Sequence, residues 1–191
     1  MKIALILVDI QKDYFPGGRM ELVGMKEASE NAQEMLLLFR EKKWPIFHIQ
    51  HIANKNGATF FIPNTQGIDI HENVAPISNE TVIQKHHPNS FLNTTLQENL
   101  LRAGIESVVI CGAMSHMCID ATSRAAADLG FQCIVIHDAC ATKDLTFGGK
   151  AVPADMVHGA FMAALQSVYA EVMDLRSFSS WMIQNLSNQP G

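Results

Sequence analysis

Asp9, Lys85 and Cys118 are the side chains of this chain whose types and settings could carry nucleophilic chemistry. Asp9 ends the run Ile3 to Val8, where a strand buried on both faces would otherwise continue with an aliphatic, and a buried carboxylate needs a partner. Cys118 closes Ile110-Cys111-Gly112-Ala113-Met114-Ser115-His116-Met117-Cys118, a tight strand-to-helix connection predicted to set the thiol in the first turn of the following helix. There the helix dipole lowers a cysteine pKa, and free backbone N–H groups can hold an oxyanion. Lys85 ends the short β-like run Thr81-Val82-Ile83-Gln84-Lys85. Beside the other two, its charge would stabilise carboxylate and thiolate together, giving a nucleophile, a base and an orienting cation. Position alone leaves plainer readings open: a solvated lysine and an inert core cysteine.

The elements that must position these groups are legible as alternating strands and helices. Apolar, β-branched runs at Ile3 to Val8, Pro45 to Ile49, Ser107 to Cys111 and Cys133 to His137 read as buried parallel strands. Helical spacing marks Glu27 to Lys42, where Ala28, Ala32, Met35, Leu36 and Phe39 share a face. Further helices are predicted at Asn93 to Ala103, Cys118 to Leu129 and Ala154 to Met173, with Val172 to Leu175 as a last short strand. The alternation predicts an α/β fold, a three-layer sandwich with a parallel sheet covered by helices on both faces. Ligands of such sheets bind beyond the carboxyl ends of the strands, which is where Asp9, Lys85 and the loop before Cys118 fall.

Composition narrows the partner. With 191 residues, the chain is expected to be a single domain spanning 1–191. A net charge of −5 offers no basic field for a phosphate backbone, so a small-molecule substrate is expected rather than nucleic acid. The apolar amino-terminal run is too short to span a bilayer and has no cleavage site, which predicts a cytoplasmic protein with no membrane partner. Cys111 and Cys133 lie inside apolar runs without a CxxC knuckle, so they read as small hydrophobes rather than zinc ligands.

Three motifs coincide in order: Asp9-Ile10-Gln11-Lys12-Asp13-Tyr14-Phe15, Lys85 with downstream Ser90-Phe91, and Cys111 through Thr122. Together with Asp138-Ala139-Cys140-Ala141-Thr142 they resemble the isochorismatase-like cysteine hydrolases over about Ile3 to Leu175. The resemblance implies a Cys-Asp-Lys triad at Cys118, Asp9 and Lys85, a non-proline cis peptide at Ala113-Met114, and oxyanion donors at the N–H groups of Met114 and Cys118. It also implies hydrolysis of a small amide, ureide or carbamoyl compound without a cofactor. Pocket residues on that reading are Phe15, Phe60, Phe61, Phe91, His116 and Met117, and a homo-oligomer, dimer or tetramer, is expected.

The chain departs from the nicotinamidases of that family, which bind a divalent metal through an Asp-x-His pair after the second strand. Here the segment reads Phe47-His48-Ile49-Gln50-His51, with no carboxylate. His48 and His51 would project to different faces of a strand, so no bound metal is expected. A non-catalytic ligand-binding member of the same fold, or a nicotinamidase- or isochorismatase-type hydrolase, stands as the alternative. Asn54 to Thr59 and Pro63 to Gly67 are predicted to form a loop carrying Phe60 and Phe61 over the site or across an interface.

Overall fold

All six side chains of β1 (Ile3–Val8) are buried, as in a strand covered on both faces. The computed structural model describes residues 2–186, so the ends of the 1–191 domain predicted from the sequence lie outside the described residues. β1 pairs in parallel with β2 (Ile46–His51) on one side and β4 (Ser107–Ala113) on the other. Outside β2 lies β3 (Thr81–Lys85); outside β4 lie β5 (Gln132–Ala141) and then β8 (Glu171–Met173). The resulting order is β3-β2-β1-β4-β5-β8, with every pairing parallel. A separate antiparallel hairpin, β6 (Leu145–Phe147) and β7 (Lys150–Val152), turns at Gly148 and Gly149, both with positive φ.

Helices cover both faces. α1 (Met25–Lys42) packs against β5, β4 and β1 through Ala32, Met35, Leu36 and Phe39. It shares its face with α5 (Leu175–Leu186), where Phe178 stacks on Phe39 at 6.4 Å. α3 (Asp120–Asp128) and α4 (Ala154–Val168) pack on each other. With the right-handed connection that parallel strands follow as a rule, they and α2 (Leu96–Arg102) fall on the other face of the sheet. The three-layer sandwich is the architecture that the alternation predicts.

Several boundaries differ from the sequence reading for local reasons. The predicted helix at Asn93 begins only at Leu96, because Asn93 is left-handed at φ 57. The helix from Ala154 stops at Val168, since the amides of Tyr169 and Ala170 both turn back to the Leu165 carbonyl. That releases Glu171–Met173 to pair with β5. α5 has no counterpart in the sequence reading; its first turn is closed by Asp174, whose carboxylate accepts the Ser177 amide at 2.6 Å.

The strand order reverses between β1 and β4, because β1 leads outward to β2 whereas β4 leads the other way to β5. Such a switch point opens a crevice past the strand ends, here just after Val8 and Ala113. No helix among the described residues is long and apolar enough to cross a membrane.

Candidate active site

The chain leaves β1 through a sharp bend. Asp9 is left-handed at φ 53, a conformation that L residues adopt at a cost of order 1 kcal/mol or more. Its amide is fixed to the Ile49 carbonyl at 3.0 Å, and its carbonyl accepts the Gln11 amide at 2.9 Å. The bend goes with a carboxylate that is fully buried beneath the crevice.

Lys85 ends β3 and is also buried, with Nζ 2.8 Å from Asp9 Oδ2. The same ammonium donates to the Pro88 carbonyl at 2.9 Å, and Pro88 belongs to a turn tied to α3. There the Ser90 amide donates to Thr122 Oγ1 at 3.1 Å. The cation is therefore held from two sides.

Cys118 reaches the same place from β4. Gly112 makes the approach possible: its φ is 125, and a Cβ there would lie 2.0 Å from the Val8 carbonyl oxygen. The Ala113-Met114 peptide that follows is cis. Ser115–Ile119 then forms a π-helical turn, a conformation frequent at functional sites. Cys118 thus lies in the turn before α3, not in the first turn of a regular α-helix as the sequence predicts.

Electrostatics differ from the sequence expectation as well. Burial, reinforced by the Asp9 carboxylate and only partly offset by Lys85, pushes the Cys118 thiol up to about 12. Without ligand the group is a thiol rather than a preformed thiolate, because desolvation and a neighbouring anion outweigh the Lys85 charge. Burial also opposes ionisation of Asp9, but the Lys85 ammonium and His51 prevail and hold its carboxyl below the ordinary value. For Lys85, burial disfavours the ammonium, yet Asp9 and Cys118 hold its pKa above the ordinary range. The resting site therefore pairs carboxylate with ammonium beside a neutral thiol.

A fourth group stands here that the sequence reading weighed only as a metal ligand. His51 is in register with Lys85 across β2 and β3 and so shares its face of the sheet. Its Nδ1 lies 3.6 Å from Asp9 Oδ2. Gln11 fixes the His51 backbone, accepting its amide at 2.7 Å and donating to its carbonyl at 2.9 Å. His48, three residues earlier, points the other way and bonds Glu80 at 2.8 Å. The useful signal for His51 was its place at the exit of β2, level with Lys85.

The ligand-capable atoms of Asp9, His51 and Cys118 lie within 4.8 Å of one another. They fit a divalent cation poorly, because the Lys85 ammonium already sits 2.8 Å from the carboxylate that would have to bind it.

The predicted pocket residues divide. Phe61 is buried rather than exposed, packed on Tyr14 at 4.6 Å and His51 at 5.6 Å. The Asp13 carboxylate accepts the Phe61 amide at 2.5 Å, which anchors the loop inward. Phe60 packs on Phe61 at 5.0 Å. With His51, His86 and Pro88, these two rings line a cavity of about 420 Å³ that reaches the Asp9–Lys85 pair through His51 and Pro88. His116 bonds Thr142 Oγ1 at 2.6 Å, while Met117 is exposed on the turn that carries Cys118. Phe15 stacks on His71 at 3.6 Å and lines a different cavity, with Lys12 and Arg19. Phe91 stacks on Phe131, just before β5 begins, so its contact is with packing at the amino-terminal end of the strand. A larger groove of about 750 Å³ lies around Arg40, Trp44 and Thr81, at the opposite end of the sheet from Asp9 and Lys85. Cys111, Cys133 and Cys140 are buried free thiols, like Cys118.

A doubly covered parallel sheet with a buried carboxylate, ammonium and thiol at its switch point defines a class of α/β hydrolase. The isochorismatase domain model matches residues 3–177, and the chain belongs to the isochorismatase family of hydrolases. It is 52% identical over 178 residues to the isochorismatase family protein YddQ of Bacillus subtilis, covering 93% of this chain and 99% of that one. The crystal structure of an isochorismatase hydrolase from Oleispira antarctica superposes with a TM-score of 0.89 at 45% identity, covering 94% of this chain and 96% of that chain. A streptothricin hydrolase of Streptomyces noursei is 31% identical over 158 residues, 80% of this chain and 55% of that protein.

Proposed function

We propose that this protein is a cysteine-dependent hydrolase of a small amide, ureide or carbamoyl compound, working through an acyl thioester. The observation that carries the reading is the convergence of Asp9, Lys85 and Cys118, three buried groups from three strand ends, with Lys85 Nζ 2.8 Å from Asp9 Oδ2. Relatives support the bond type: a ureidoacrylate amidohydrolase of Acinetobacter baylyi and a maleamate amidohydrolase of Pseudomonas putida are 25% and 28% identical.

The charges set the order of events. Asp9 takes the Cys118 proton as sulfur attacks the substrate carbonyl carbon, so the thiolate exists only while the new C–S bond forms. The amides of Met114 and Cys118 are the proposed donors to the carbonyl oxygen as it gains charge. Asp9 then gives its proton to the departing nitrogen, the C–N bond breaks, and an acyl thioester remains. Water adds to that carbonyl and passes a proton to Asp9; the C–S bond breaks, and sulfur recovers the proton as the acid leaves. Lys85 keeps Asp9 anionic at rest, ready to receive the first proton.

Ammonia release from a panel of small amides, ureides and carbamoyl compounds, nicotinamide included, tests the reading. Release by the wild type and none by Cys118→Ala, with the variant's melting temperature little changed, is the expected result. Release that persists near the wild-type rate in Cys118→Ala would overturn the nucleophile assignment.

A further inference from the structure

Asp9, fully buried and paired with Lys85 on one side, faces the half-buried His51 on the other. Asp9 Oδ1 and His51 Nδ1 have no hydrogen-bond partner among the described residues, and Nδ1 stands 3.6 Å from Asp9 Oδ2. That separation is too long for a direct hydrogen bond, and in the tautomer that carries its proton on Nε2 the Nδ1 atom is an acceptor like the carboxylate oxygen. Two acceptors so placed are bridged by a molecule that offers two hydrogens at once. The Lys85 ammonium beside the same carboxylate disfavours a cation there, which leaves a neutral donor.

Cys118 lies within 4.8 Å of both groups, so a molecule held by Asp9 and His51 sits over the sulfur that carries the acyl group. His51 also lines the 420 Å³ cavity with Phe60 and Phe61, so it stands between that cavity and the carboxylate. Gln11 clamps its backbone on both sides, and Phe61 packs against its ring. Such support exceeds what a surface histidine needs.

We propose that His51 is a catalytic residue of the second half-reaction, holding with Asp9 the water that hydrolyses the acyl thioester. This rests on the cysteine-hydrolase reading above. One water hydrogen bonds His51 Nδ1 and the other Asp9; the oxygen lone pair attacks the thioester carbon. The proton on the Asp9 side moves to the carboxylate, the C–S bond breaks, and that proton passes to the Cys118 sulfur while the carboxylic acid departs. His51 orients and returns unchanged, so the step needs no co-reactant other than water.

p-Nitrophenyl acetate separates the two half-reactions, because p-nitrophenolate appears on acylation and further turnover requires deacylation. His51→Leu is expected to keep a full burst, accumulate an acetylated Cys118 visible by intact mass, and turn over about 10²-fold more slowly than the wild type. His51→Asn, which restores an acceptor oxygen, is expected to recover most of the loss. Hydroxylamine, a stronger nucleophile than water, is expected to rescue His51→Leu by cleaving the accumulated thioester. Unchanged turnover in His51→Leu, or equal loss of burst and turnover without hydroxylamine rescue, overturns the role of His51. Should His51→Leu not fold, His51→Asn decides alone: a normal burst with a deacylation rate below that of the wild type and rescued by hydroxylamine supports the role, and any other pattern overturns it. A wild type with no Cys118-dependent burst instead overturns the nucleophile reading on which it rests.

Discussion

Lys85 Nζ stands 2.8 Å from Asp9 Oδ2 with both side chains wholly out of solvent, so neither charge is compensated by water. Removing one partner strands the other. Lys85→Met is expected to destabilise the fold by about 3–5 kcal/mol in urea titrations, because it leaves a buried carboxylate unpaired. Asp9→Asn combined with Lys85→Met should be less destabilising than Lys85→Met alone. Lys85→Met alone and Asp9→Asn alone are each expected to lose at least about 10³-fold in turnover, read by ammonia release.

The thiol of Cys118 should be slow to react in the absence of substrate. With its pKa pushed up to about 12, iodoacetamide labelling is expected to be weak at neutral pH and to climb steadily above the ordinary thiol range. The sign for stability follows from the same shift. The raised pKa means that the folded state holds the proton where the unfolded chain has lost it, so stability falls as pH rises from about 9 towards about 12. Rapid labelling at pH 7, followed by mass spectrometry of the Cys118 peptide, would contradict this.

Gly112 tolerates no side chain. A Cβ at φ 125 would lie 2.0 Å from the Val8 carbonyl oxygen, where only backbone could give way. Gly112→Ala is expected to cost more than about 2 kcal/mol and to lower the melting temperature by several degrees. It should also abolish turnover, because the strand that shifts is the one leading to Cys118.

Asp13 holds the loop that lines the cavity. Its buried carboxylate accepts the Phe61 amide at 2.5 Å and the Arg19 amide at 3.3 Å. Asp13→Ala leaves both donors unmatched, about 1–3 kcal/mol for each that stays buried. The expected kinetic result is a KM raised roughly tenfold or more, with acylation chemistry less affected, since the loop contributes cavity walls rather than the triad.

Acid stability should reside partly at the other end of the sheet. Burial opposes ionisation of Glu80, but Arg40 at 2.7 Å, the Ile77 amide and His48 bring its pKa down to about 2. A lowered carboxyl pKa gives stability that is present above the ordinary value of 4.5 and lost as pH falls towards about 2. Glu80→Gln should raise the pH midpoint of acid unfolding, followed by circular dichroism, and leave the Cys118 burst unchanged.

The buried strands and the first long helix were legible because their signals are local: six apolar residues in a row for β1, and apolar side chains three and four apart for α1. Asp9, Lys85 and Cys118 could be singled out because each lies at or beyond the end of a strand, and strand ends are where open parallel sheets place ligands. A motif position says nothing about which way a ring turns, and the Phe91 ring stacks on Phe131. Phe60 and Phe61 looked like an exposed pair, but Asp13 anchors the Phe61 amide inward, a contact across 48 positions of sequence.

Residue types and their spacing along the chain therefore determined the fold class and singled out Cys118, Asp9 and Lys85 as the candidate site, because hydrophobic periodicity and strand-end chemistry are properties of short segments. Only the tertiary structure decided how these charges pair and that His51 stands beside them. Desolvation and charge coupling depend on distances between residues far apart in sequence, such as the 3.6 Å from His51 to Asp9, and the register that creates that distance is set by the packing of β2 between β1 and β3.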